Sequence, residues 1–207
     1  MTTVRTEIKG ELFTHRILWE CCDRQLKAAE TARRDKTGPL YFELSAMLMA
    51  YLTYEAYINF LGDRLAPEIW KDERNFFNTA PYRGVEGKLK KITELCNIND
   101  IRKGERPYQT ITELNNLRSY LVHAKPDKYR KVIEHSRDNE PWLFHPKLRQ
   151  LVTPEKAKRA IEDVQAFVEY LHAEASRYVD DIWFGDKALE GFYEHSEGDT
   201  TQTLTSG

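Results

Sequence analysis

The sequence predicts an all-α fold: a bundle of four to five long helices. Three observations carry it. Apolar residues recur at helical spacing through most of the chain, and no stretch alternates apolar and polar residues as a half-buried strand does. The turn-forming residues glycine (10) and proline (8) are scarce among 207, where a β-rich fold needs many tight turns.

The first helix is expected over about Lys9 to Lys36, with Leu12, Phe13, Leu18, Cys22, Leu26 and Ala29 near helical spacing. Gly38-Pro39 ends it. A second helix is expected over Leu40 to Leu65, with Leu44, Met47, Leu48, Tyr51, Leu52 and Ile58 on one stripe and Pro67 beyond its end. Pro67 to Arg83 is aromatic and irregular, with room for one short turn. A third helix covers about Val85 to Cys96, and Asn97 to Pro107 is a polar, basic connection. A fourth runs from Tyr108 to His123, and Pro126 stops it, because a residue before proline avoids the α region.

Lys125 to Val152 contains Pro126, Pro141 and Pro146 and reads as an inserted irregular segment before the last helix, with one short helix near Lys128 to His135. Thr153-Pro154-Glu155 then offers an N-cap, a proline at the first helical position and an acid in the first turn. The helix it opens carries Ala157, Ile161, Val164, Val168, Leu171, Ala175, Val179 and Ile182 on one face. The chain is thus expected to form one helical domain over 1–196, followed by a disordered Thr/Ser/Gly-rich tail at 197–207.

Composition narrows the function classes. Hydrophobic residues make up 41% and charged residues 31%, with a net charge of −2, values ordinary for a cytoplasmic protein. Cys21, Cys22 and Cys96 form neither a C-x-x-C pair nor an even set, so neither a disulfide framework nor a zinc site is expected. Met1 to Gly10 lacks the apolar core of a signal peptide, and the longest apolar stretch, Ala46 to Leu52, is too short to span a bilayer. No metal, no cofactor and no membrane partner is expected. The charge is unevenly spread: Arg83 to Lys131 holds 12 Lys and Arg against 6 Asp and Glu, while Thr153 to Gly207 holds 5 against 12. One face suited to an anionic partner, or simply solvated helix faces, would produce this pattern.

The chemistry-bearing segment lies inside the basic stretch, at Thr112 to Pro126. With Ile111 at zero on a helical wheel, Leu114, Leu117 and Leu121 fall near about 300°, 240° and 280° and define a core face. Asn115, Ser119 and His123 form a polar stripe beside it, at about 40°, 80° and 120°. Arg118, at about 340°, sits at the edge of the apolar stripe, where it must snorkel, pair with a carboxylate or face a subunit interface. On the second helix Glu55 falls within the expected apolar stripe, so a cation close to it is expected, with Arg118 the first candidate. A buried Arg118–Glu55 pair that only fixes helix register is the structural alternative.

His123 ends the helix, and an imidazole can take and give protons near neutral pH. An arginine nearby can neutralise a phosphate in bidentate fashion. Other motifs fail. Gly84-x-x-Gly87-Lys88 lacks the spacing and the preceding strand of a phosphate loop, and no H-E-x-x-H or nucleophile elbow exists. His15, His135, His145 and His195 read as surface residues and His172 as structural. Phe76, Phe77, Tyr82 and Trp142 have the rings to stack on bases, though packing explains such residues equally well.

Arg118-Ser119-Tyr120-Leu121-Val122-His123, followed by Ala124-Lys125-Pro126, resembles the R-x4-6-H signature of the HEPN superfamily. Tyr54-Glu55-Ala56-Tyr57-Ile58-Asn59 resembles the acidic position on an earlier helix of several HEPN groups. The resemblance spans Leu40 to Tyr178. It implies a homodimer in which two R-x4-6-H helices approach and form one composite RNA-cleaving cleft that needs no metal. His123 would assist attack by the ribose 2′-hydroxyl and Arg118 would stabilise the phosphorane charge, with Asn115, Ser119 and Glu55 in support. Arg102, Lys103, Lys125 and Lys128 are the cations expected to hold RNA. Such domains serve as toxins, defence effectors or RNA-processing factors, some held in check by a nucleotidyltransferase antitoxin. The family usually places Asn, Asp or His directly after the arginine; here Ser119 stands there, with shorter reach and no amide, a departure that bears on activity rather than on fold. The alternative function is a catalytically silent HEPN protein that binds RNA or nucleotide, or docks on a partner protein.

Overall fold

The computed structural model describes residues 8–99, 101–126, 146–179, 184–185, 187–190 and 193–197. The fold is all-α, and its helices gather around one long central helix. Strand β1 (Ile8–Leu12) is followed by α1 (Thr14–Arg34) and α2 (Leu40–Leu65). Two short helices, α3 (Pro67–Lys71) and α4 (Glu73–Phe76), lead to α5 (Gly84–Leu95) and α6 (Tyr108–Val122). Helix α7 (Pro146–Leu151), helix α8 (Pro154–Ala175) and strand β2 (Tyr193–Glu197) complete the order.

Helix α2 touches α1, α3, α5, α6 and α8, and that position explains its sequence. Its buried side chains are Glu43, Ala46, Met47, Ala50, Tyr51, Thr53, Tyr54, Tyr57, Ile58 and Leu61, together with Gly62. Three tyrosines therefore lie inside while Leu44, Leu48 and Leu52 are only half-buried. The buried face is turned from the leucine stripe expected from spacing toward Tyr54 and Tyr57. Helix α8 packs against α2, α6 and α1 and buries Ala157, Ala160, Val164, Phe167, Val168 and Leu171. Its start is built as expected: Thr153 accepts a hydrogen bond from the Lys156 amide at 3.2 Å, with Pro154 at the first helical position. Helix α6 buries Ile111, Leu114 and Leu117; Leu121, also expected on this face, is half-buried against the core.

The N-terminal reading needs correction. Residues expected to open the first helix instead form β1, which pairs antiparallel with β2 in the register Ile8↔Glu197, Gly10↔His195 and Leu12↔Tyr193. The strand has too few residues to display an alternating pattern, and its partner is far away in sequence. The connection between α2 and α5 also contains two short helices, α3 and α4, rather than one turn. Part of the segment read as irregular, Pro146–Leu151, is helical.

Residues 184–185 and 187–190 are held against the bundle by buried polar groups. His15 Nε2 lies 3.1 Å from the Ala188 carbonyl, and Arg16 donates from Nε to that same oxygen at 3.2 Å. His172 Nε2 lies 3.0 Å from the Gly185 carbonyl and its Nδ1 lies 3.0 Å from the Tyr57 hydroxyl. The His172 ring stacks on Phe184 at 4.1 Å. His15, read from sequence as a surface residue, is 1% exposed; the carbonyls that satisfy it come from the other end of the chain. His172 is buried and structural, as its position beside the α8 stripe implies.

Lys128, Trp142, His135, His145, the short helix expected at Lys128 to His135 and the tail after Glu197 lie outside the described residues. Among the described residues no helix is long and apolar enough to cross a membrane.

Candidate active site

The site begins with the register of α6. Burial of Ile111, Leu114 and Leu117 against the bundle fixes the rotation of the helix, and so fixes what remains outside. Arg118 is exposed, Asn115, Ser119 and Leu121 are half-buried, and Val122 and His123 are exposed. Of the three options open to an arginine at the stripe edge, a carboxylate partner is not taken among the described residues: the side chain is exposed, open to solvent or to a second subunit.

His123 is the C-cap residue, with φ −108° and ψ 12°. Its backbone amide donates to the Ser119 carbonyl at 3.1 Å, closing the last turn. Arg118 and His123 are separated along the axis by about 7.5 Å of helical rise. This short span presents one permanent cation and one imidazole to solvent on the same helix end. Exposed Val122 and half-buried Leu121 lie between them, an apolar strip between two polar groups.

Asn115 is anchored. The Tyr51 hydroxyl donates to its Oδ1 at 2.9 Å, which leaves the amide nitrogen of Asn115 for other partners. The Tyr51 pKa is pushed up to about 12, chiefly by burial and then by the Glu55 carboxylate, with the Arg118 charge opposing. Tyr51 is therefore a neutral donor at physiological pH, standing between the fields of Glu55 and Arg118.

Glu55 departs from its expected place. It is half-buried at the flank of the α2 core face, and among the described residues no ion pair joins it to Arg118 or to another cation. The physical reason is the turned core face: with Tyr54, Tyr57 and Ile58 inside, position 55 reaches water and its carboxylate needs no partner. The buried carboxylates are elsewhere. Glu43 accepts from Arg33 Nη2 at 2.5 Å, and Asp163 accepts from Arg106 Nε and Nη2 at 2.7 and 2.8 Å and from the Thr110 hydroxyl at 2.5 Å. The first pair spans the short α1–α2 connection; the second couples residues more than fifty apart, a signal absent from local spacing.

Of the cations expected to hold RNA, Lys125 is exposed just beyond His123. Arg102 and Lys103 are exposed near the other end of α6, where Arg102 Nη1 donates to Glu105 at 3.3 Å and Lys103 Nζ lies 5.8 Å from the centre of the Tyr108 ring. The three described cations thus fall into two groups, one at each end of the helix. Lys88 belongs to neither: its Nζ donates to Asn59 Oδ1 and to Glu73 Oε2, each at 2.7 Å. Phe77 is buried against Trp70, at 4.8 Å between ring centres, while Phe76 and Tyr82 stack on each other at 5.3 Å. These rings are packed together rather than offered singly to a base. Among the described residues no group of three or more His, Cys, Asp and Glu side chains is placed to hold a metal ion.

Comparison of the chain with protein-family models, with curated proteins and with solved structures finds no match.

Proposed function

We propose that this protein is a HEPN-like endoribonuclease that works as a homodimer without a metal, with Arg118 and His123 from two copies forming one cleft. The observation that carries the reading is the joint exposure of Arg118 and His123 at the C-terminal end of α6, on a helix whose opposite face is locked into the core. A buried or carboxylate-bound arginine would have favoured a purely structural role. The exposed Val122 beside the pair suits apolar contact with a second copy.

In the proposed reaction His123 takes the proton of a ribose 2′-hydroxyl as its oxygen attacks the adjacent phosphorus. The new O2′–P bond forms and the P–O5′ bond breaks. The leaving 5′ oxygen takes a proton from the second histidine of the composite cleft. The Arg118 guanidinium donates to the non-bridging oxygens and is worth most as charge builds in the transition state. Products are a 2′,3′-cyclic phosphate and a 5′-hydroxyl. Asn115, held by Tyr51, and Ser119 support the phosphate from the flank of the helix, and Glu55 adds negative charge near the Arg118 end. A role as toxin, defence effector or RNA-processing factor in the cytoplasm, and control by a nucleotidyltransferase antitoxin, belong to the same proposal.

The test is cleavage of a mixed RNA substrate in EDTA, comparing wild type with His123→Ala at matched folding and oligomeric state. Activity that survives the chelator, leaves cyclic-phosphate ends and disappears in the variant supports the assignment. A folded dimer with no activity, or equal activity in the variant, sinks it. The second reading is an inactive HEPN-like protein that binds RNA or nucleotide. It is favoured by Ser119, which lacks the amide usual after the arginine, and by an aromatic cleft at the far end of α6.

A further inference from the structure

A cleft of about 290 Å³ opens beside the first turn of α6, between that turn and α8. Its walls are Ile101, Tyr108, Phe167 and Tyr170, and Arg102 and Arg106 stand among its lining residues. Tyr108 and Phe167 are buried and meet edge to face at 5.7 Å, so this part of the wall is rigid. The Tyr108 hydroxyl is committed to Glu86, which leaves the ring as the surface it gives to the cleft. Tyr170 is 38% exposed, an aromatic side chain at the open side.

The cations are arranged around this apolar interior. Asp163, 6% exposed, holds Arg106 through Nε and Nη2, fixing the guanidinium plane at the rim. Arg106 Nη1 has no partner among the described residues, and the side chain is half-exposed. Arg102 and Lys103 add two further exposed cations, against the exposed carboxylates of Glu105 and Glu162. An aromatic wall favours a planar ring, because a ring face in it offers stacking to every base. A pre-oriented guanidinium favours a phosphate beside that ring. The volume is at the low end for ligand clefts, enough for one base with its sugar rather than two.

We infer that this cleft binds a single nucleotide, its base against the aromatic wall and its phosphate on Arg102 and Arg106. The nucleotide is either free or part of a single strand. In the second case the cleft lies roughly 22 Å along α6 from His123, so it would grip a strand several nucleotides from the bond being cut. That strand-holding role rests on the proposed ribonuclease reading; the nucleotide chemistry of the cleft does not.

The experiment is calorimetric titration of the full chain with adenosine, with adenosine monophosphate, with ribose 5-phosphate, and with a short single-stranded RNA 2′-O-methylated throughout so that it cannot be cleaved through the 2′-hydroxyl. Adenosine monophosphate should bind at least about tenfold tighter than ribose 5-phosphate, the range expected of one stacked base. Tyr170→Ala should weaken it by about tenfold, and Arg102→Ala should weaken the monophosphate while leaving adenosine unchanged. Circular dichroism of both variants should match wild type, since both side chains lie at the surface. Binding of the methylated RNA that is lost in Tyr170→Ala assigns the cleft to a strand, and binding of the monophosphate alone assigns it to a free nucleotide. No binding of either, or equal affinity in Tyr170→Ala and wild type, overturns the inference. Because these ligands are not cut, failure here is separate from failure of the His123→Ala cleavage test.

Discussion

The Tyr51 hydroxyl donates to Asn115 Oδ1 across 2.9 Å and so ties the middle of α2 to α6 three residues before Arg118. This bond crosses the interface that sets the rotation of α6, and it holds a polar side chain in place beside an exposed cation. Replacing Tyr51 by Phe keeps the ring and removes the donor. The expected cost is about 1 kcal/mol, the net worth of one hydrogen bond in a partly buried site. For a chain of this size that lowers Tm by roughly 2–4 °C. Thermal unfolding followed by circular dichroism checks it, and an unchanged Tm would mean that Asn115 finds another donor.

Ser119 offers a gain-of-function test of the proposed cleft. Its side chain is half-buried, and its carbonyl, not its hydroxyl, closes the last turn of α6 with the His123 amide. Ser119→Asn therefore leaves the cap intact and supplies an amide with longer reach. One added transition-state hydrogen bond of about 1.4 kcal/mol raises kcat about tenfold. Single-turnover cleavage in EDTA reads this directly. A rate at or below wild type, in a variant of the same oligomeric state, removes position 119 from contact with the scissile phosphate.

Helix bounds were legible wherever local chemistry sets them. Leu40–Leu65 is bracketed by Gly38-Pro39 and Pro67, and the start of Pro154–Ala175 is set by Thr153-Pro154, all of them read from neighbours in sequence; the end of that last helix, expected beyond Val179, falls at Ala175, where no proline or glycine marks it. The α6 core face was legible for the same reason. What escaped depends on partners far along the chain. The β1–β2 pairing, buried His15 and the Arg106–Asp163–Thr110 cluster each join groups more than fifty residues apart. Glu55 was misplaced because spacing alone ranked Leu44, Leu48 and Leu52 as the core face of α2, whereas a helix surrounded by five neighbours buries its tyrosines as well. Within the candidate site, Arg118 and His123 could be chosen from the sequence, but the aromatic cleft could not, because its walls come from the α6 start and from α8.

Gly87 explains the glycine that looked like a fragment of a phosphate loop. A Cβ built there would stand 1.8 Å from the Tyr82 carbonyl carbon and oxygen, which are backbone atoms with little room to yield. The glycine permits α5 to pass close to the chain that precedes it. Gly87→Ala is expected to destabilise by more than about 2 kcal/mol, in the range of overpacked interior sites. Chemical denaturation measures it. A loss under about 0.5 kcal/mol, the size of an ordinary surface substitution, would show that the 82–87 turn can move aside.

His15 gives the fold a pH dependence whose direction follows from its surroundings. Burial, then the charge of Arg16, lowers its pKa from 6.5 to about 3, with the Ala188 hydrogen bond opposing and His172 adding to the decrease. In the folded chain His15 is thus neutral, with Nε2–H donated to the Ala188 carbonyl. The unfolded chain takes up a proton below about pH 6.5 that the folded chain refuses until about pH 3. Stability from this residue is fully present above the upper value and falls as the pH drops through that window, by up to about 1.4 kcal/mol per pH unit. His15→Gln keeps a donor of similar reach and removes the titration. Urea unfolding at a series of pH values between neutral and mildly acidic should therefore show the wild type losing stability faster than the variant. Parallel curves would mean that residues 187–190 open on acidification and let His15 protonate without unfolding the bundle.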